Sequence, residues 1–209
     1  MRRARIAYAG LIISILALVG FVLLASLFKQ EAFLQRDLAF TQRIHANEET
    51  AFAPLFDIVT DFGKSVLIVV VLQVAAVLWV RRRWSDLAFW LGVISAGFVL
   101  NLVLRQVLQG PRPYLEDTAL IQQNTGFPSG HAMMSLVTYG LLAYGLRSLL
   151  TRRCWLLISS ALMLLVLLIG YSRMFFGFHY FSDVLGGYAA GLFWLLLCLS
   201  IHRLVRSPR

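Results

Sequence analysis

Charged residues are scarce in this chain. Only 14% of its 209 residues are Asp, Glu, Lys or Arg, whereas 59% are hydrophobic. Soluble globular domains average about 25% charged and about 45–50% apolar residues. The apolar residues fall in long blocks, which excludes a disordered chain and argues against a soluble enzyme. The composition therefore predicts a membrane protein.

Acidic residues and cysteines are also few. The chain has 10 acids against 19 basic residues, and its two cysteines, Cys154 and Cys198, lie inside apolar stretches. A thiol in such a setting is usually a small hydrophobic side chain, so neither cysteine is assigned a function. The net charge of +9 comes from short basic clusters between apolar blocks. This pattern is typical of membrane topology, and no nucleic-acid partner is expected.

Six stretches are long and apolar enough to cross a bilayer as helices, because roughly 20 apolar residues span its hydrocarbon core. They comprise residues 6–28, 62–80, 87–104, 132–150, 155–171 and 184–201. The first follows a basic N-terminus, as a signal peptide would, but it exceeds the roughly 7–15 apolar residues of a signal sequence. The sequence thus predicts an all-α polytopic membrane protein with six transmembrane helices in one domain, residues 1–209.

The basic residues are distributed unequally across the predicted membrane. With a cytoplasmic N-terminus, the inner segments hold twelve basic residues, and the outer segments hold seven together with nine acids. The positive-inside rule then predicts that both termini are cytoplasmic. Apolar residues at roughly helical spacing in the outer segment, residues 29–61, predict an extracytoplasmic amphipathic helix on the outer surface. A solvated connector with a packed stripe is the alternative.

Polar residues recur at the outer ends of spans three to six, where ionisable groups are costly and commonly functional. The fourth span opens with Pro128-Ser129-Gly130-His131. Pro and Ser suit a helix start, and the N–H groups of the first helical turn suit a phosphate. His131 then follows as a proton donor. The alternative is an ordinary capped helix with an interfacial histidine.

A second motif lies between spans five and six. His179 and Asp183 are four residues apart, which on a helix places them on one face. A carboxylate that accepts the Nδ1 hydrogen would leave Nε2 as a nucleophile. Arg173 supplies a planar fork suited to a phosphoryl group. The alternative is a buried pair that only ties two helices together.

A third motif follows span three, where Arg105 is separated by six residues from Arg112-Pro113. These arginines could equally be interfacial residues that extend toward the head groups. With Arg173, however, they account for three of the seven basic residues on the predicted outer side. This concentration favours a shared anionic ligand.

Together the three motifs resemble the signature of the type 2 phosphatidic acid phosphatase (PAP2) superfamily: Lys-x6-Arg-Pro, Pro-Ser-Gly-His and Ser-Arg-x5-His-x3-Asp. The second and third match fully, whereas the first has Arg105 in place of the lysine. A guanidinium still binds phosphate, but with a different geometry. The resemblance covers nearly the whole chain and implies the six-span membrane branch of the family.

The resemblance also implies a role for each matching residue. His179 would attack phosphorus and form a phosphohistidine, Asp183 would orient it, and His131 would protonate the leaving group. The phosphoryl oxygens would be held by Arg105, Arg112, Ser129, Gly130 and Arg173. The resemblance implies no metal or other cofactor, and the sequence has no cluster of carboxylates that would bind magnesium.

A lipid phosphate is the expected substrate, because the predicted topology places these motifs level with outer-leaflet head groups of the cytoplasmic membrane. The small, Arg-rich chain resembles bacterial members that act on undecaprenyl pyrophosphate, the cell-wall carrier lipid, which is the substrate predicted here. Phosphatidylglycerophosphate, phosphatidic acid and phosphotransfer to a lipid acceptor are the alternatives, and no protein partner is inferred. A transporter or non-catalytic bundle would not need His131, His179 and Asp183 together. Gly187 and Gly191 are expected to pack helices within one chain.

Overall fold

The computed structural model describes residues 2–45, 50–110 and 126–205, with only the backbone of residues 2 and 3. These ranges contain eight α-helices and no β-strand, which confirms the predicted all-α fold. The helices are α1 (Arg2–Leu27), α2 (Glu31–His45), α3 (Ala53–Asp61), α4 (Ser65–Val80), α5 (Trp84–Leu108), α6 (Gly130–Leu146), α7 (Arg152–Phe175) and α8 (Phe181–Val205).

Five helical stretches are long and apolar enough to cross a membrane, namely α1, α3 together with α4, α5, α7 and α8. The helices α5, α7 and α8 extend beyond the predicted spans at both ends, because helical structure continues into the polar residues at the membrane edges. The predicted fourth span corresponds to α6, which has 17 residues and ends at Leu146. The protein is an integral membrane protein, and its sixth span stays a prediction.

The central helix is α6, which packs against α5, α7 and α8. Two glycines of α8 allow the backbones of α6 and α8 to approach closely. A Cβ added at Gly187 would lie 2.6 Å from the carbonyl oxygen of Ser129, and one at Gly191 would lie 2.9 Å from that of Met133. The Gly-x3-Gly pair therefore packs two helices of the same chain, as predicted.

The long contact between α1 and α8 closes one side of the bundle. The hydroxyl of Ser14 donates a hydrogen bond to the carbonyl oxygen of Phe193 at 2.9 Å. Farther along α1, the rings of Phe21 and Phe28 stack on Phe127, with centroids 5.5 and 4.7 Å away. Because Phe127 precedes the Pro-Ser-Gly-His motif, α1 supports the segment that leads into α6.

One end of the bundle carries two arginine-rich turns, at residues 81–83 and 147–153. The guanidinium of Arg147 lies 5.1 Å from the ring of Trp155, and that of Arg203 lies 5.1 Å from the ring of Tyr144. A cavity of about 820 Å³ opens at this end between α4, α5 and α6, with Arg81 among its lining residues. The predicted catalytic motifs lie at the opposite end of the bundle.

The described residues of the predicted amphipathic segment, 29–45 and 50–61, include two helices, α2 and α3. Phe33 and Ile44 of α2 pack against the bundle. The two buried residues of α2, Asp37 and Thr41, are however polar. The helix α2 thus presents a polar contact to the bundle within its apolar face.

Candidate active site

The pair of His179 and Asp183 lies where α7 turns into α8. A corner of five residues, 176–180, joins the helices, with Gly177 in the left-handed region at φ 65°. His179 Nδ1 lies 3.2 Å from Asp183 Oδ2, and the two residues are 3% and 2% exposed. The predicted pairing is present, but His179 precedes the helix, so the pair is made by the corner and not by a regular helical face.

The position of Asp183 is further defined by the backbone around it. Its Oδ2 accepts the N–H of Tyr180 at 2.9 Å, a contact that resembles a helix cap. Its carbonyl oxygen accepts the N–H of Ser129 at 2.9 Å. The second hydrogen bond joins the start of α8 to the start of α6, and therefore brings two of the predicted motifs together.

The Pro-Ser-Gly-His motif begins α6 in the way the sequence predicted. Ser129 is the N-cap, and its hydroxyl accepts the N–H of Ala132 at 3.5 Å. Gly130 is tightly enclosed, since an added Cβ would lie 3.0 Å from Asn101 Oδ1. Because the Ser129 N–H bonds to the Asp183 carbonyl oxygen, α6 and α8 begin side by side and the positive ends of their dipoles lie together. This arrangement favours binding of an anion.

Positive charge converges on the first turn of α6. The His131 ring lies close enough to interact electrostatically with His179 and with three cationic side chains, those of Lys64, Arg105 and Arg173. Arg105, near the end of α5, also interacts electrostatically with Asp183. The structure thus brings together the predicted residues of all three motifs, except Arg112, which lies outside the described residues.

Arg173 contributes to the site through both its side chain and its backbone. Nη1 donates to Thr60 Oγ1 at 2.8 Å, and the guanidinium lies 4.5 Å from the ring of Phe178. The Arg173 carbonyl oxygen accepts the N–H of His179 at 3.2 Å. One residue therefore presents a cationic fork to the site and restrains the corner that carries His179.

The turn between α3 and α4, residues 62–64, is a part of the site that the sequence analysis missed. The hydroxyl of Tyr139 donates to the carbonyl oxygen of Phe62 at 2.7 Å, which fixes the turn on α6. At Gly63, an added Cβ would lie 3.1 Å from His131 Cδ2. The exposed Lys64 follows directly. A lysine at membrane depth is the signal in the sequence that points to this turn.

In the part of the chain that the structure describes, no group of three His, Cys, Asp or Glu residues could hold a metal ion. The donors that converge on His131 and His179 are cationic or N–H groups, which suit a phosphoryl oxygen and not a metal. Metal independence of the reaction stays a prediction, and chelation tests it directly.

Comparison with known proteins agrees with this geometry. The sequence model of the PAP2 superfamily matches residues 86–206. Phosphatidylglycerophosphatase B of Bacillus subtilis (strain 168) is 27% identical over 197 residues, which cover 90% of this chain and 94% of that protein. The crystal structure of the transmembrane PAP2-type phosphatidylglycerolphosphate phosphatase from Bacillus subtilis matches with a TM-score of 0.82 and 24% identity, covering 94% of this chain and 98% of that one. Since the family match spans more than half of the sequence and includes both histidine motifs, this chain belongs to the PAP2 superfamily, as a membrane phosphatase that hydrolyses phosphoric esters.

Proposed function

We propose that the protein removes a phosphate group from a membrane lipid through a phosphohistidine formed on His179. The observation that carries this proposal is the buried pair of His179 Nδ1 and Asp183 Oδ2, 3.2 Å apart, where the N-termini of α6 and α8 meet. With the proton on Nδ1 held toward the carboxylate, Nε2 carries the lone pair that attacks phosphorus.

The remaining residues supply the other parts of the reaction. The bond from Nε2 to phosphorus forms as the bond from phosphorus to the lipid oxygen breaks, and His131 gives that oxygen a proton. Water then attacks the phosphohistidine, returns a proton to His131, and releases phosphate. Arg105, Arg112, Arg173, Ser129 and Gly130 are proposed to hold the phosphoryl oxygens, where negative charge is spread in the transition state.

Phosphatidylglycerophosphate is the first candidate substrate, because a relative that matches 90% of this chain is named phosphatidylglycerophosphatase B. Undecaprenyl pyrophosphate, which the sequence resemblance favours, is the second candidate. Both lipids carry two phosphate groups, whereas phosphatidic acid carries one. The proposed site recognises the phosphoryl group, so the lipid must be identified by direct comparison.

The active site is further proposed to face the extracytoplasmic side, with both termini in the cytoplasm. The observation in support is the position of the arginine-rich turns along the bundle. Arg147 and Arg203 lie at the end opposite to His131 and His179, and the positive-inside rule assigns the arginine-rich end to the cytoplasm.

The proposed function is tested by phosphate release from the purified protein in detergent, with EDTA present. The three lipids named above are compared at equal concentrations, and His179→Ala is the control. We expect release that EDTA does not reduce and that falls by at least about 10³-fold in the variant. When the preferred lipid carries a labelled phosphate, the phosphorylated protein formed from it should lose the label in acid and retain it in alkali. This is the stability expected of a phosphorus–nitrogen bond.

Each arm of this experiment has an outcome that contradicts the proposal. Near-normal turnover in His179→Ala would exclude the phosphohistidine. Complete loss of activity with EDTA, restored by a divalent cation, would exclude a metal-independent reaction. Phosphate release only in the presence of a lipid acceptor would indicate a phosphotransferase.

A further inference from the structure

The helix α2 contacts the active site through a row of three polar side chains, Asp37, Thr41 and His45, here named the α2 polar face. Their spacing of four residues places them on one side of the helix. Asp37 is 7% exposed and Thr41 is 0% exposed. An amphipathic helix that merely covers a bundle would bury apolar side chains at these positions.

Each residue of the α2 polar face has a backbone partner near His179. The Asp37 carboxylate accepts the N–H of Ser182, whose nitrogen lies 3.2 Å from Oδ2 and 3.4 Å from Oδ1. Thr41 Oγ1 accepts the N–H of Phe181 at 3.2 Å. At the other end of the corner, His45 Nδ1 lies 3.0 Å from the carbonyl oxygen of Phe175.

These three contacts hold both ends of the corner that carries His179. Phe175 is the last residue of α7, and Phe181 and Ser182 are the first two residues of α8. The ring of Phe40, on the same helix α2, packs on Phe181 with centroids 5.0 Å apart. Contacts with the single helix α2 therefore hold the residues on both sides of the five-residue corner.

Hydrogen bonding at the start of α8 shows how α2 affects the catalytic pair. The first N–H groups of a helix have no partner within the helix, and a nearby Asp commonly accepts them. Here Asp37 and Thr41 accept the N–H groups of Ser182 and Phe181. The carboxylate of Asp183 can then contact His179 and the N–H of Tyr180 instead of turning toward these groups.

The burial of Asp37 indicates a role beyond fold stability. Burial raises the pKa of Asp37 above its ordinary value, and the nearby Asp183 adds to this rise, although hydrogen bonds from Ser182 and Phe181 oppose it. A buried carboxylate close to a second carboxylate is a costly way to cap a helix. A serine or threonine would cap it without that cost.

We propose that Asp37 is a positioning residue for the phosphatase reaction, which caps α8 from α2 so that Asp183 remains directed at His179. Thr41 and His45 complete the same contact at the two ends of the corner. This inference rests on the proposed function, because the corner matters only if His179 is the nucleophile. It also assigns α2 a fixed position during turnover, since a movement of α2 away from the corner would break all three contacts.

The inference is tested with four single variants of the full-length protein in detergent. Asp37→Ala is expected to lower kcat about 10-fold while KM stays within about 2-fold, because the change disturbs positioning and not phosphate binding. Asp37→Asn keeps an oxygen acceptor and should stay within about 3-fold of the unmodified protein. Thr41→Val should lower kcat about 3-fold. Glu31→Ala removes an exposed acid from the same helix and should leave kcat and KM unchanged.

A double-variant cycle separates positioning from general destabilisation. In an Asp183→Asn background, Asp37→Ala should lower kcat by less than about 2-fold further, because the group through which it acts is already altered. An equal loss in both backgrounds would overturn the inference, as would unchanged kcat in Asp37→Ala. Hydrogen exchange of residues 176–184 gives a readout independent of activity and should be faster in Asp37→Ala than in Glu31→Ala.

The outcomes also distinguish this inference from the proposed function. Normal exchange in Asp37→Ala shows that the α2 contact does not restrain the corner, whatever the activity. If phosphate release requires His179 but Asp37→Ala changes neither kcat nor hydrogen exchange, the proposed function stands and the positioning role of Asp37 is wrong. If the folded protein releases no phosphate but Asp37→Ala still speeds hydrogen exchange, the proposed function is wrong and the restraint of the corner by α2 stands.

Discussion

The proposed nucleophile, His179, depends on contacts made by individual atoms. A neutral imidazole attacks only with a nitrogen that bears a lone pair, and the Asp183 carboxylate selects that nitrogen by holding the other at 3.2 Å. The histidine is 3% exposed, so water does not compete strongly for this contact. Arg173 adds the positive charge that a phosphoryl group requires, and its guanidinium is oriented by Thr60.

Lys64 extends this cationic group from a segment outside the family motifs. We expect Lys64→Met to raise KM by about 3- to 10-fold with kcat little changed, because an exposed cation contributes about 1 kcal/mol to binding an anion. The effect should be larger for lipids with two phosphate groups than for phosphatidic acid. Steady-state phosphate release measures both constants. Lys29→Met is the matched control, since Lys29 is the other exposed lysine, and an equal effect there would show a nonspecific loss of surface charge.

At the level of helices, the site exists because α6 and α8 begin at the same place. Their glycine contact places the carbonyl oxygen of Ser129 directly against Gly187. The hydrogen bond from the Ser129 N–H to the Asp183 carbonyl oxygen then sets the distance between the two histidine motifs. A change in the packing of α6 on α8 should therefore affect catalysis as well as stability.

Gly187→Ala tests this coupling. The new Cβ would lie 2.6 Å from a backbone carbonyl oxygen, which cannot rotate away as a side chain could. We expect a loss of about 1–3 kcal/mol in the free energy of unfolding, as for other overpacked cores, and a clear fall in kcat. Thermal unfolding in detergent and phosphate release measure the two effects. Gly92→Ala meets nothing within 4 Å and should be nearly neutral in both. Full activity in Gly187→Ala would contradict the coupling.

At the scale of the whole molecule, the bundle is polarised along its axis. The arginine-rich turns lie at one end, and the two helix N-termini that form the candidate site lie at the other. This polarity predicts the orientation in the membrane, because arginines favour the cytoplasmic side. The substrate head group would then be reached from the outer leaflet.

Cysteine labelling measures that orientation. Cys154 is exposed near the arginine-rich end, and a cysteine at the exposed position Gln35 would mark α2 near the site. In intact cells, a membrane-impermeant maleimide should label Gln35→Cys in a background lacking both native cysteines. With Cys198→Ser as the only change, Cys154 should react only after permeabilisation. The reverse pattern would place the active site in the cytoplasm.

The membrane class and the all-α fold could be predicted from the sequence, and so could most of the residues that the structure brings together at the candidate site. Long apolar stretches are governed by bilayer thickness, a constraint that acts on local sequence. The histidine motifs are likewise contiguous segments, so their resemblance to the family signature predicts His131, His179 and Asp183 as site residues. The helix ends were less predictable, because helices such as α7 continue through polar residues that do not enter the hydrocarbon core.

The contributions of Asp37, Thr60 and Lys64 were decided only by the tertiary structure. Asp37 and Ser182 are 145 residues apart in sequence, and Thr60 and Arg173 are 113 residues apart. No local pattern encodes such a meeting, since it depends on how whole helices pack. The apolar spacing of α2 predicted a helix, but it could not show that a buried carboxylate on that helix would cap another helix beside the proposed nucleophile. Sequence therefore determined the membrane class and the candidate reactive groups, whereas packing decided which distant residues contact those groups.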